Sequence, residues 1–210
     1  MRNFILSLFL FSISFLHSTE SSEPYRFTIY QRDYLLSKKF DLEKQNIQNQ
    51  PIPFGIVSKP KVSIRSNYQL FDTKGLFEAQ GLSDLLSLGA LKTWATDIKV
   101  YDYEGKYIGM IDGQMVINSR AQFSFYDKDD SRVAIALVES EGMSVHISLP
   151  SYNNVAVASL KRVDIARLTD HWEVSVYDPA QIDLRVLKIF SSFIADYQNK
   201  WLPDDDDDDD

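Results

Sequence analysis

Cysteine is absent from this chain of 210 residues, and histidine occurs only three times. Without cysteine there can be no disulfide, no thiolate nucleophile and no cysteine-ligated metal. Stability must therefore come from packing. A composition of 44% hydrophobic and 13% aromatic residues is typical of a folded domain with one hydrophobic core.

The signatures of common enzyme families are also missing. The chain has no glycine-rich phosphate-binding loop and no Walker lysine. Residues 142–146 loosely resemble a nucleophile elbow, but the closing glycine is lacking and the segment leads into a predicted strand. His146 and His171 have no carboxylate or second histidine at a ligand-like spacing. We therefore expect no metal, no cofactor and no enzymatic activity; a hydrolase with unrecognised acids is a rival hypothesis.

The chain also has little excess of either charge once its last seven residues are set aside. The net charge is −8, but the run of seven aspartates at 204–210 carries most of it and leaves about −1 for the rest. A nearly neutral body gives no reason to expect a nucleic-acid partner. The aspartate run cannot bury apolar surface and has no turn residue to shape a calcium loop, so we expect a disordered, solvated tail.

The one long hydrophobic run lies at the N-terminus. Residues 4–16 are apolar except for three serines, and Arg2 precedes them. A membrane-spanning helix needs about 20 apolar residues, whereas a shorter run after a basic residue is typical of a signal peptide. We predict a signal peptide over 1–22, export to the periplasm or the extracellular space, and one domain over 23–203. An uncleaved membrane anchor is the alternative, because no small-x-small cleavage site follows.

A repeated pattern of aromatic-Asp or aromatic-Asn pairs predicts a series of β-hairpins. Each pair stands next to alternating apolar residues, and the pairs recur every 25 to 30 residues. They are Phe71-Asp72, Tyr101-Asp102, Tyr126-Asp127, Tyr152-Asn153 and Tyr177-Asp178. An earlier hairpin is predicted to pair a strand over 25–30 with a strand over 34–40. Asp or Asn at the first position of a turn, with Gly at the fourth, favours a type I turn. A meander of this length favours a barrel or a sandwich.

Three segments depart from this pattern. Residues 44–60 are rich in Gln, Asn and Pro and predict a long surface loop. Residues 83–94 have leucines at helical spacing and predict a short helix capped by Ser83. Asp178 and Pro179 are a typical helix start, and apolar and small residues follow on most sides, which predicts a buried C-terminal helix near 179–201.

Several motifs in order resemble the tubby C-terminal-like superfamily, in particular its LURP-one-related and phospholipid scramblase-like branches. The motifs are Phe71-Asp72-x-x-Gly75, the hairpin from Asp97 through Gly105 to Ile111, Phe123-Ser124-Phe125-Tyr126-Asp127, and Trp172-Glu173-Val174-Ser175-Val176 leading into Ile182-Asp183-x-Arg185-x-Leu187. The resemblance covers residues 25–202. It implies a mainly β fold: a closed antiparallel barrel of about twelve strands around a central, hydrophobic C-terminal helix.

The resemblance also implies a function connected with lipids. Members of the superfamily are associated with binding phosphoinositides or other membrane lipids, or with moving phospholipids. This chain departs from them because it lacks the cysteine-rich palmitoylated segment of scramblases and has a leader that directs it away from the cytoplasm. Asp183 and Arg185 match the start of the family's helix, and we assign them a structural role.

Basic residues are the only candidate site that the sequence offers. They cluster at 38–39, at 59–65 and at 161–167, and if adjacent they would bind anionic headgroups; as isolated charges they would be ordinary solvated side chains. The candidate headgroup-binding residues are Lys38, Lys39, Lys161, Arg162 and Arg167.

From these observations we predict an exported, monomeric, non-enzymatic binding module for membrane lipid headgroups. The alternatives are a secreted protein-interaction or effector domain that uses exposed loops such as 44–60, and an outer-membrane barrel. The outer-membrane barrel is disfavoured because the segment 132–138 is apolar on both faces. A strand of an outer-membrane barrel alternates apolar residues facing the lipid with polar residues facing the lumen.

Overall fold

The computed structural model describes residues 24–46, 48, 50–63, 65–83, 96–115, 121–139, 143–163 and 171–197. Twelve strands precede one helix in these ranges. The strands are β1 (Tyr25–Asp33), β2 (Ser37–Gln45), β3 (Pro51–Pro60), β4 (Asn67–Phe71), β5 (Phe77–Ser83), β6 (Ile98–Asp102), β7 (Tyr107–Met115), β8 (Ala121–Asp127), β9 (Arg132–Val138), β10 (Ser144–Leu149), β11 (Tyr152–Val163) and β12 (His171–Val176), and the helix is α1 (Leu184–Asp196).

The strands form a closed antiparallel barrel. Each strand pairs with its neighbours in sequence, and β1 closes the ring by pairing with β12 from Tyr25 opposite Val176 to Tyr30 opposite His171. Closure gives every strand a partner on both sides over at least part of its length. The mainly β fold and the barrel of twelve strands are thus confirmed.

The helix lies inside this barrel. Its ten residues from Val186 to Ala195 are all buried, and it contacts strands on both sides of the ring, among them β1, β4, β7 and β12. A surface helix buries only one stripe, so burial on every side requires a lumen. Ser191 and Ser192 are fully buried, and their hydroxyls donate to the carbonyls of Leu187 and Lys188 at 2.8 and 2.9 Å. The predicted central helix is confirmed.

The strand residues that face the helix are matched to it in size. Phe190 packs edge-on against Phe123 and Phe125, with ring centroids 5.3 and 4.8 Å apart. Gly81 faces Ile189, and a Cβ added there would lie 2.7 Å from an Ile189 methyl. Large aromatic rings on one side and an absent side chain on the other fill the lumen.

Three hairpin turns repeat one hydrogen-bonding scheme, as the aromatic-Asp pairs predict. The Asp72 carboxylate accepts hydrogen bonds from the amides of Lys74 and Leu76 at 2.8 and 2.7 Å. Asp102 and Asp127 accept the corresponding pairs of bonds in their own turns. Each aspartate satisfies two turn amides that the strand ladder leaves unpaired.

The predicted loop at 44–60 is wrong. The segment completes β2 and forms β3, so that most of its described residues lie in strands. Pro51 and Pro53 are tolerated because β3 pairs with β4 only from Ile56 to Ser58, so its first half has a neighbour on one side alone.

The predicted start of the helix is also wrong. The amides of Tyr177 and Asp178 still donate to the Val157 carbonyl at 2.9 and 3.1 Å, so the chain crosses β11 at this point. The N-cap is Asp183, whose carboxylate accepts from the Arg185 amide at 2.9 Å and pairs with the Arg185 guanidinium. The structural role assigned to these two residues agrees with this geometry.

Other predictions fall partly outside the described residues. Ser83 ends β5, and the remainder of the helix predicted over 83–94 is not described, nor are the predicted signal peptide and the aspartate tail. Tyr152 opens β11, although the pattern predicts that it ends the preceding strand. Among the described residues, no helix is long and apolar enough to cross a membrane.

Candidate functional site

The two ends of the barrel differ in their turns. The lower end, where α1 begins, carries the aspartate turns after β4, β6 and β8. The upper end, where α1 finishes, carries the described turns after β1 and β3, and β5, β7, β9 and β11 also end there. Because successive strand ends of a meander lie at opposite ends of the barrel, the described members of all three basic clusters predicted from the sequence fall at or near the upper end.

Exposed apolar side chains project from the upper end. In the turn after β1, Leu35 is 91% exposed and Leu36 is 69% exposed, and Val62 in the next upper turn is 85% exposed. The Lys61 amide donates to the Leu36 carbonyl at 2.9 Å, so these two turns form one surface. We call Tyr34, Leu35, Leu36 and Val62 the tip.

Cationic side chains surround the tip. The Lys39 ammonium lies 5.2 Å from the centroid of the Tyr34 ring. Lys61 pairs with Asp33 at 3.2 Å, and Arg65 is exposed. In the upper halves of β1 to β4 and the turns that join them there, the cations are Arg32, Lys38, Lys39, Lys59, Lys61 and Arg65, and the described carboxylates paired with them are those of Asp33, Asp41 and Asp196. This part of the upper end is therefore positive.

A buried ionic cluster lies beneath the tip, inside the mouth of the barrel. Asp196, the last residue of α1, accepts a hydrogen bond from Lys38 at 2.6 Å and one from the Tyr68 hydroxyl at 2.8 Å. Lys59 pairs with the same carboxylate oxygen, Oδ2, that accepts the Tyr68 hydrogen bond, and it lies over the rings of Tyr68 and Tyr197. Two lysines meet one carboxylate, so the cluster carries a positive charge in excess.

The ionisation of this cluster follows from its contacts. Burial acts to raise the pKa of the Asp196 carboxyl, but the charge of Lys59 and the hydrogen bonds from both lysines outweigh it and lower that pKa. Burial, with the nearby Asp196 charge, raises the pKa of Tyr68 well above 10. Burial acts to lower the pKa of Lys38, yet Asp196 raises it overall. Asp196 and Lys38 are thus charged at neutral pH, and Tyr68 remains a donor.

A second buried charge belongs to the lower half of the helix. The Lys188 ammonium donates to the Phe54 carbonyl at 3.1 Å, lies 3.8 Å from the centroid of the Phe54 ring, and is 3.8 Å from Glu78. Burial lowers the pKa of Lys188, and Glu78 only partly compensates. This lysine ties α1 to β3, and we assign it a structural role.

The candidate headgroup residues do not form one patch. Side chains alternate along a strand, so Lys38 points into the barrel mouth and Lys39 points outward. On β11, Lys161 is exposed opposite Glu173, whereas Arg162 is only 5% exposed and turned inward. Arg167 lies outside the described residues. The structure thus places Lys39 on the surface and Lys38 beneath it, with Lys161 on a separate part of the upper end.

The tip was missed because residues 34–40 read as one strand in the sequence. The structure begins β2 at Ser37, and the Tyr34 amide bonds the Ser37 carbonyl at 2.9 Å to close a turn. The available signal was a leucine pair between two alternating segments, at a position where a turn is normally polar.

Neither of the two described histidines forms part of a metal site. The Nε2 of His146 lies 2.8 Å from the Glu139 carboxylate, a contact that sequence spacing did not reveal, and His171 packs against the Tyr30 ring at 5.2 Å. Among the described residues, no three potential ligands come together.

Comparison with known proteins finds no match to any family model, and a search of curated proteins finds no match either.

Proposed function

We propose that this protein is a non-enzymatic binding module that docks onto membranes containing anionic lipids through its upper end. The observation that carries the proposal is the tip: three aliphatic side chains, each more than two-thirds exposed, on two hydrogen-bonded turns among lysines and an arginine.

Apolar and cationic groups act together at a membrane surface. Leu35, Leu36 and Val62 lose water contact if they enter the boundary between headgroups and acyl chains, and full burial of such a side chain contributes about 1.5 to 3 kcal/mol. Each lysine or arginine near an anionic leaflet contributes about 1 kcal/mol more. Lys39, Lys61 and Arg65 surround the apolar residues and would lie at the depth of the phosphates.

The rest of the barrel supports a surface function over an internal one. Phe190 and Phe193 on α1 occupy the lumen against Phe123, so the interior has no room for a lipid. The resemblance to tubby-like proteins implies lipid binding as well, and the family assignment remains a prediction. One of the exposed loops expected for the effector alternative, at 44–60, consists mostly of the end of β2 and strand β3.

Vesicle co-sedimentation of the full chain tests the proposal. We expect binding to vesicles of phosphatidylcholine with phosphatidylserine or phosphatidylglycerol, weaker binding to phosphatidylcholine alone, and weakening with salt because surface charges are screened. The variant Leu35→Ser/Leu36→Ser removes two apolar side chains of the tip. Its matched control is Leu76→Ser, since Leu76 is 63% exposed at the lower end.

The two variants separate the outcomes. The proposal requires that the tip variant lose binding while Leu76→Ser retains it. Absence of binding to any anionic vesicle at low salt, or equal loss in both variants, would overturn it.

A further inference from the structure

The outer wall of the barrel has a hollow of about 460 Å³ over β8 to β11. Ser148, Ala156 and Ser159 form its floor, and their small side chains leave space above the strands. The ladder between β10 and β11 shifts register on both sides of Ser148, and this irregularity deepens the surface at that point.

The two sides of the hollow are built differently. Ile135 and Leu137 of β9 form an apolar side. The opposite side is Tyr177, whose amide bonds the Val157 carbonyl at 2.9 Å and whose hydroxyl lies 3.1 Å from the Ser159 hydroxyl. These two bonds hold the tyrosine ring across β11, so this side is in place without a ligand.

The polar groups that line the hollow are uncharged, or have already used part of their hydrogen-bonding capacity. In the described part of the chain, the side chains of Gln122 and Ser148 make no hydrogen bond within the protein, and both line the hollow. His146 uses Nε2 toward Glu139 at 2.8 Å, which leaves Nδ1 for another partner. An amide, a hydroxyl and an imidazole nitrogen can each donate or accept, so they suit a ligand with several hydroxyl groups.

Charge decides against an anionic ligand. Among the described residues, no lysine or arginine lines the hollow, and Glu139 beside His146 is negative. A phosphate or carboxylate would lose its hydration without gaining a cation. The volume lies within the range of about 300 to 1,000 Å³ that is usual for small-molecule sites.

The geometry points to a second binding site in this hollow, for one unit of a neutral saccharide. The apolar C–H face of a sugar ring would pack on Ala156 and the Tyr177 ring, and its hydroxyls would bond Gln122, Ser148 and His146. In the ring order of the barrel, β9 and β10 lie across from β3 and β4. The hollow therefore faces away from the tip and would stay accessible on a docked barrel.

Nuclear magnetic resonance on the full, ¹⁵N-labelled chain tests this site. The probes are the methyl glycosides of glucose, galactose, mannose and N-acetylglucosamine and their short oligomers, with methyl phosphate and hexanol as the charged and apolar probes. We expect at least one saccharide to shift the amide signals of Ser148, Ala156 and Ser159 at millimolar concentration, and methyl phosphate to leave them unchanged.

Two variants that each introduce a phenylalanine test whether the saccharide binds in the hollow. Ala156→Phe fills the hollow at an exposed position, and Gln69→Phe adds the same ring to an outward-facing position of β4 on the opposite wall. We expect saccharide binding to weaken at least about tenfold in Ala156→Phe and to be unchanged in Gln69→Phe. If Ala156→Phe does not fold, Gln122→Ala/Ser148→Ala replaces it with the same expectation.

Three results would each overturn the assignment: no saccharide shifts these signals, binding survives in the filled or polar-deleted variant, or hexanol shifts the same signals more strongly than any sugar. All three are independent of vesicle binding at the tip, so this site and the proposed function can fail separately.

Discussion

Lys38 on β2 donates a 2.6 Å hydrogen bond to Asp196 at the end of α1, across 158 residues of sequence. The Asp196 side chain is only 2% exposed. Because Lys59 of β3 pairs with the same carboxylate, one residue fixes the end of the central helix to the two strands that carry the tip. The stability of the barrel and the shape of its upper end are therefore coupled through this cluster.

Replacing Asp196 should destabilise the fold. Asp196→Asn keeps the size of the side chain but leaves the charges of Lys38 and Lys59 uncompensated inside the barrel mouth. Loss of one partner from a buried ion pair costs several kcal/mol, and the partial exposure of both lysines reduces this to about 2 kcal/mol. Urea denaturation measures it. The exposed pair of Lys128 and Asp129 supplies the control, because Asp129→Asn should leave the midpoint unchanged.

The contribution of Asp196 should depend on pH in one direction. Its folded pKa lies below the ordinary value of 3.8, so its stabilisation is present above that value and is lost as the pH falls through the lower folded pKa. The difference in unfolding free energy between the natural chain and Asp196→Asn should therefore be constant above about pH 5 and narrow in stronger acid. A difference that narrows near neutral pH would contradict this assignment.

Substitutions at equivalent positions of two aspartate turns should change stability in opposite directions. Gly105 has φ of +80° and Asp130, at the same place in its turn, has φ of +57°. Gly105→Ala should cost about 1 kcal/mol because a side chain disfavours this left-handed conformation. Asp130→Gly should gain about 0.5 kcal/mol once the hydrogen bond from Tyr107 is removed by Tyr107→Phe. Thermal unfolding of the natural chain, Gly105→Ala, Tyr107→Phe and Tyr107→Phe/Asp130→Gly measures both effects. A loss of stability on adding Asp130→Gly to Tyr107→Phe would show that the Asp130 carboxylate has another role.

Charge reversal around the tip should weaken vesicle binding. Lys39→Glu/Lys61→Glu reverses two outward cations and should reduce partition onto anionic vesicles by more than about tenfold, since each basic side chain near the surface contributes about 1 kcal/mol. Lys74→Glu/Lys106→Glu makes the same change in net charge at the lower end. Equal losses in the two variants would mean that net charge, and not the tip, governs binding.

Much of the fold was predictable from local patterns. The alternation of apolar residues predicted most strands, and the aspartates of three hairpin turns predicted their hydrogen bonds, because both depend on neighbours in sequence. The helix was recognised by apolar and small residues on most sides, among them Ser191 and Ser192. Its start was misplaced because Asp178 and Asp183 are both good caps, and only the bonds of Tyr177 and Asp178 to β11 decide between them.

The candidate site was less predictable. Basic residues close in sequence were taken as groups, but alternation along a strand sends Lys38 and Lys39 to opposite sides of the barrel wall, and Lys161 and Arg162 likewise. The tip was not predicted because its residues 34–36 were assigned to a strand, and the sequence alone does not show where the pairing between two strands ends. The contact between His146 in β10 and Glu139 after β9 joins residues of two neighbouring strands, and no local sequence pattern predicts it.

Neighbouring residues were enough to establish the absence of disulfides, the order of hairpins, the turns at Asp72, Asp102 and Asp127, and a helix that needs burial. Which distant groups meet depended on the closed barrel. Closure of β1 on β12 created the lumen that holds α1, placed Asp196 against Lys38 and Lys59, and left Leu35, Leu36 and Val62 in water. The physical reason is that a closed barrel has one interior: side chains aimed into it must pair or pack there, and those on turns beyond its rim have nothing in the barrel to cover them.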